Sequence, residues 1–194
     1  MRKHVDNICR AGWAGIRRIG KIRKYLDEKS TEKLTHAFIT QRIDNCNSLL
    51  QDLPDMDIQK LQRLQNATAR LVCRVKRSEH ITPILYKLHW LPVYQRIKYK
   101  TLLLAFKCLH NLAPAYLCEL IARYQPKRKL RSSALTLIDV QTAKLVTYGD
   151  RAFAVTAPSL WNQLPESIRK EQSLDSFKSK LKTHLFNQHF NQFK

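Results

Sequence analysis

The sequence predicts a mainly α protein: a small helical bundle followed by a helical C-terminal segment that carries a short β hairpin or irregular β insertion. Apolar residues recur at helical spacing in successive runs, and the prolines fall at the breaks between those runs. Glycine is scarce, at four residues in 194, and a 44% hydrophobic content is enough to bury a core.

The first run, from about Val5 to Leu26, places Val5, Ile8, Ile16, Ile19, Ile22 and Leu26 on one face, with Arg10, Arg17, Lys21 and Lys24 opposite. Gly12 and Gly15 sit on the apolar side. They weaken helix propensity but allow a neighbouring backbone to approach closely. Ser30 is expected to cap a second helix, with Glu32 in its first turn and Leu34, Ala37, Phe38 and Cys46 along it, ending near Leu50. Leu53-Pro54 breaks the pattern, and Asp55 or Asp57 can cap a third helix. Its apolar side holds Ile58, Leu61, Leu64, Thr68, Leu71 and Val72, while Lys60, Arg63, Arg70 and Arg74 lie on the other. No acidic residue occurs between Ile58 and Ser78, so the three helices form a bundle with basic outer faces.

A charged loop spans Cys73 to His80. Thr82-Pro83 then starts a short helix to Leu88, and the His89-Trp90-Leu91-Pro92 break leads into a longer helix from Val93 to about Asn111. Another short helix follows Pro114 and ends near Ile121. Residues 123–133 read as a basic, exposed linker with Pro126, Lys127, Arg128, Lys129 and Arg131. Leu135 to Val140 and Leu145 to Tyr148 are rich in β-branched and aliphatic residues and supply the expected β segment. Pro158 and Pro165 with Leu160, Trp161, Leu164 and Ile168 predict short helices around a turn. A last helix from about Leu174 to Phe190 carries Phe177, Leu181 and Leu185 on one side. The division that follows is 1–76, 77–122, 123–133 and 134–194.

Charge narrows the function. Lys plus Arg number 35 against 15 Asp plus Glu, a formal net charge of +20, so polyanions are the expected partners. Five widely spaced cysteines make a poor disulfide framework and suit a reducing compartment, cytoplasm or nucleus. No apolar run is long enough for a signal peptide or membrane span, so no membrane partner is expected. Hydrolase and nucleotide-binding signatures such as G-x-S-x-G, G-x-x-x-x-G-K-[ST] and G-x-G-x-x-G are absent, as is H-E-x-x-H. Two-metal catalysis needs clustered carboxylates. Neither Asp27-Glu28, at the end of a helix, nor Asp150, followed by Arg151, provides such a cluster. This chain alone is therefore expected to have no catalytic residue, cofactor, metal or small-molecule substrate. The expected activity is binding of RNA or DNA through the phosphate backbone, by Arg10, Arg17, Lys21, Lys24, Arg63, Arg70 and Arg74. Trp13 and Tyr25 flank the basic face of the first helix, where packing against neighbouring helices is the commoner role for an aromatic ring than base stacking.

Six runs occur in order from Leu34 to Arg169: LTHAFITQRIDNCNSLL, LQRLQNATARLV, HITPILYKLHWLPVYQRIKYKTLLLAFKCLHNLAPAYL, LRSSA, YGDRAF and APSLWNQLPESIR. Together they closely resemble the C-terminal end of reverse transcriptases of jockey-like non-LTR retrotransposons. The resemblance implies that residues 1–76 are thumb-like, the helical bundle that grips a primer-template duplex after the catalytic palm, and that the rest is the family's C-terminal extension. It implies a parent RNA-directed DNA polymerase using magnesium, with its palm aspartates outside this chain. It also implies a transposon remnant in which Met1 is only the first in-frame start. The missing palm is an implied partner. In the alternative reading the chain is a protein-interaction module that docks on the polymerase core or on an RNA-bound partner. The run CRVKRS, from Cys73 to Ser78, stands where the family has a turn richer in glycine or threonine.

Overall fold

The computed structural model describes residues 1–124, 136–141, 149 and 151–191, which are mainly helical as expected. Two compact units divide the chain, Met1–Ile97 and Lys98–Lys194.

In the first unit, α1 spans Arg2–Ile22 and continues as a 3-10 turn, Arg23–Tyr25. Helix α2, Glu28–Thr35, starts at Asp27 rather than at Ser30. The extended backbone of Asp27 lets its carboxylate accept from the Ser30 N–H at 3.2 Å, and this places Ser30 inside the first turn. A π-helical turn, His36–Thr40, joins α2 to α3, Gln41–Asp44. Cys46 is left-handed (φ 54°) and turns the chain into the 3-10 segment Asn47–Leu50. Helix α4, Asp55–Cys73, begins after Pro54, and Asp55 and Asp57 lie in its first turn, where negative charge favours the helix dipole. Asp57 is buried and pairs with Lys60 at 3.1 Å and Arg2 at 3.6 Å, which ties the start of α1 to the start of α4.

The apolar faces read from the sequence meet in one core that includes Val5, Ile8, Ile19, Ile39, Leu61 and Leu64. Both glycines lie at the closest approaches. A Cβ on Gly12 would fall 2.5 Å from Leu64 Cδ2, and one on Gly15 would fall 3.1 Å from Ile39 Cγ1. Helix α1 thus has α4 against Gly12 and the π turn against Gly15.

Residues 77–97 belong to this unit, although the sequence draws a boundary near 76. Helix α5, Thr82–Lys87, leads to the Trp90–Pro92 break, which polar contacts hold on the bundle. Trp90 Nε1 donates to Glu32 at 3.2 Å, Gln65 Nε2 to the Leu91 carbonyl at 2.8 Å, and the Val93 N–H to Gln62 Oε1 at 2.8 Å. Hydrophobic periodicity carries no trace of such anchors. Helix α6, Val93–Leu109, runs across the division between units.

The second unit adds α7, Ala115–Cys118; α8, Phe153–Asn162; α9, Glu166–Arg169; and α10, Leu174–Phe190. Phe177, Leu181 and Leu185 of α10 are buried, as their spacing predicts. Phe177 stacks on Phe106 with ring centroids 4.2 Å apart, and on Trp161 at 5.7 Å. Among the described residues the β character is a single antiparallel bridge between Arg123 and Ile138. Asn162 clamps Ile138 by accepting from its N–H at 3.0 Å and donating to its carbonyl at 2.9 Å. The linker cations Lys127, Arg128, Lys129 and Arg131, the second expected strand Leu145–Tyr148, and Asp150 lie outside the described residues.

The glycines of α1 should respond oppositely to substitution. Gly20 is exposed, and a Cβ added there would meet nothing within 4 Å, so Gly20→Ala should stabilise the fold by about 0.5–1 kcal/mol through helix propensity. Gly12→Val should destabilise it by about 1–3 kcal/mol through overpacking against Leu64. Urea midpoints of the two variants measure both signs.

Candidate nucleic-acid interface

The seven cations expected from sequence to bind phosphate fall into two groups. Arg10, Arg17, Lys21 and Lys24 form an exposed stripe on α1 and its following turn. The Lys24 ammonium lies 4.7 Å from the centre of the Tyr25 ring, a cation–π contact that keeps its charge at the surface. Arg63 and Arg70 project from α4 seven residues apart, so they share one helix face, and Arg74 follows directly after the helix end. None of the seven forms an ion pair with a carboxylate among the described residues.

Arg63, Arg70 and Arg74 line a groove of about 650 Å³ together with Arg23 and Arg77. Its apolar lining comes from Trp13 and Ile16 on α1 and from Ala67, Leu71 and Val75 on the α4 side. Among the described residues, no acidic side chain lines it. The α1 stripe lies outside the groove lining, so the structure gathers three of the seven residues into one site and leaves four on a separate face.

Arg23 holds this arrangement in place. Its side chain is 9% exposed; Nε donates to the Leu71 carbonyl at 2.8 Å, Nη2 to Val72 at 2.6 Å and Nη1 to Leu26 at 2.7 Å. The carbonyls of Leu71 and Val72 belong to the last turn of α4, where they have no partner within the helix, so the guanidinium caps that end. Burial, and then the Arg74 cation, push the Arg23 guanidinium below its ordinary pKa. Arg74 follows the helix in the left-handed conformation (φ 54°). A non-glycine residue there costs about 1 kcal/mol or more. Hydrogen bonds from Arg74 Nη2 to the carbonyls of Arg23, at 2.9 Å, and Leu26, at 3.2 Å, offset that cost.

A guanidinium that donates to a carbonyl keeps its full charge, so these bonds orient the cations without neutralising them. Arg70 gives Nη2 to the Glu79 carbonyl at 3.0 Å, while its buried Nε meets no acceptor among the described residues. Arg63 and Arg77 line the same groove, whose lining includes no carboxylate among the described residues.

Arg23, Arg77 and Trp13 were not assigned to the interface by sequence reasoning. For Arg23 a signal was present: it follows Val5 by about five helical turns and so continues the apolar face of α1 with a charged residue. The acidic pair Asp27-Glu28 is engaged in structure, since Asp27 caps α2 and Glu28 pairs with Lys87 at 2.9 Å.

Groove and stripe define a cationic helical bundle with two arginine- and lysine-bearing faces. Comparison with protein-family models, curated proteins and solved structures returns no match for this chain.

Replacing Arg23 should unfasten the end of α4. Arg23→Met should lower stability by about 2–3 kcal/mol because buried carbonyls are deprived of charged donors. Arg23→Lys should recover only part of this, since an ammonium cannot reproduce the fork. Chemical denaturation of the three proteins compares them directly.

Proposed function

We propose that the chain binds RNA or DNA through the phosphate backbone, without sequence preference, as the thumb-like and C-terminal part of a jockey-like non-LTR reverse transcriptase that works with a separate palm. The observation that supports this most is the groove, where five arginines line one surface with no carboxylate among the described residues. Phosphate recognition needs such clustered donors, and bidentate guanidinium contacts suit it better than scattered lysines do. The α1 stripe extends the positive field beyond the groove, which suits a long polyanion better than a small one. In this reading the chain positions nucleic acid, and the chemistry belongs to the palm with its magnesium ions.

The alternative, protein docking, draws support from the second unit. Leu112, Tyr116, Leu120 and Tyr124, on and around α7, are all exposed. Exposed apolar side chains of this kind suit protein contact better than they meet phosphate.

Salt titration of the full chain on a primer-template duplex tests the backbone reading. Replacing Arg63, Arg70 and Arg74 by glutamine should weaken binding at every duplex sequence. The log–log salt slope should fall by about one for each phosphate that the variant no longer neutralises. Unchanged affinity and slope in a variant that keeps its helical circular dichroism would overturn the reading.

A further inference from the structure

The geometry points to an unpaired nucleotide as the occupant of the groove between α1 and α4, with its base against Trp13 and its phosphates on the arginines of α4. This rests on the backbone-binding reading above and adds to it which form of nucleic acid this site takes.

Three observations carry it. First, Trp13 is 39% exposed, whereas Trp90 and Trp161 are 5% and 1% exposed. It lines the groove, so the packing role expected for it from spacing leaves much of its indole uncovered. Second, the groove joins an apolar wall of Trp13, Ile16 and Leu71 to guanidinium groups at Arg63, Arg70 and Arg74. A nucleotide has the same two halves, a flat apolar face and an anion. Third, the volume of about 650 Å³ is in the range of sites that enclose small ligands. A base-paired helix keeps its base faces stacked inside, so a tryptophan wall gains nothing from it. An unpaired base has a free face, and stacking on an aromatic ring is indifferent to base identity.

The charge in the groove favours nucleic acid over an apolar peptide segment. A peptide would have to bury its backbone beside five arginines that, among the described residues, share the groove lining with no carboxylate. A phosphodiester brings one negative charge per nucleotide. Arg63, Arg70 and Arg77 line the groove and supply guanidinium donors for it.

Fluorescence titration of the full chain tests the assignment, because the one exposed tryptophan is the one that lines the groove. Three probes of equal length are compared: a single-stranded oligonucleotide, the same backbone with abasic sites throughout, and the duplex. The base-bearing single strand should quench tryptophan emission and bind more tightly than the abasic strand. Trp13→Ala should remove the quenching and weaken the base-bearing strand about tenfold while leaving abasic and duplex affinities unchanged. Trp13→Phe should keep most of the affinity and lose the quenching, which separates stacking from a collapse of the groove. Equal affinity for base-bearing and abasic strands, or quenching that persists in Trp13→Ala, would overturn the proposal while leaving backbone binding standing. Failure of all three probes to bind would overturn both readings.

Discussion

The Arg23 guanidinium sits where the end of α1 meets the end of α4, and the groove beside it depends on that contact. Three donors of one planar group satisfy carbonyls from two segments of chain, so the two helix ends are held at a fixed separation. Arg74 then donates back to carbonyls of Arg23 and Leu26, and the two arginines tie the same corner from opposite sides. The corner is built from cations bonded to backbone oxygen rather than to carboxylates. This is the physical reason that it can be rigid and strongly positive at once.

At the other end of α1 the constraint is steric and acidic. Asp57 and Lys60 hold the start of α4 against α1, with Asp6 adding a 3.0 Å pair to Lys60. In the middle, Gly12 leaves room for Leu64. These acidic side chains of the bundle are thus used in pinning helices together, and among the described residues no acidic side chain lines the groove that Arg63, Arg70 and Arg74 share. A +20 chain is expected to show positive potential everywhere. The groove is distinguished by where the few carboxylates of the bundle are placed.

Much of this was legible in the sequence because it depends on period and side-chain type. The three faces of the bundle, the α10 stripe of Phe177, Leu181 and Leu185, and the close approaches at Gly12 and Gly15 follow from helical spacing. The α4 arginines could be placed on one face in the same way, yet their meeting with Trp13 could not, because spacing within a helix is silent about what lies across from it. The role of Arg23 was hidden by its charge, since a cation on an apolar face reads as an interruption and not as a cap for another helix. The Trp90–Pro92 break is held by Gln62, Gln65 and Glu32, residues whose types recur on any solvated face. The Asn162 clamp on Ile138 is similarly a matter of one amide's geometry. Long-range polar contacts between single residues leave no period.

The mutual repulsion of Arg23 and Arg74 has a thermodynamic consequence. The Arg74 guanidinium is held close to that of Arg23, and after burial it is the next cause that disfavours the charged form of Arg23. The folded form therefore carries electrostatic work that the unfolded chain, with its arginines dispersed, does not. Any anion that enters the corner returns part of that work to the folding equilibrium, so occupancy and stability are linked properties of the same few side chains. In such a design the ligand acts as a missing structural component, and the rigidity of the bundle reports on whether it is bound.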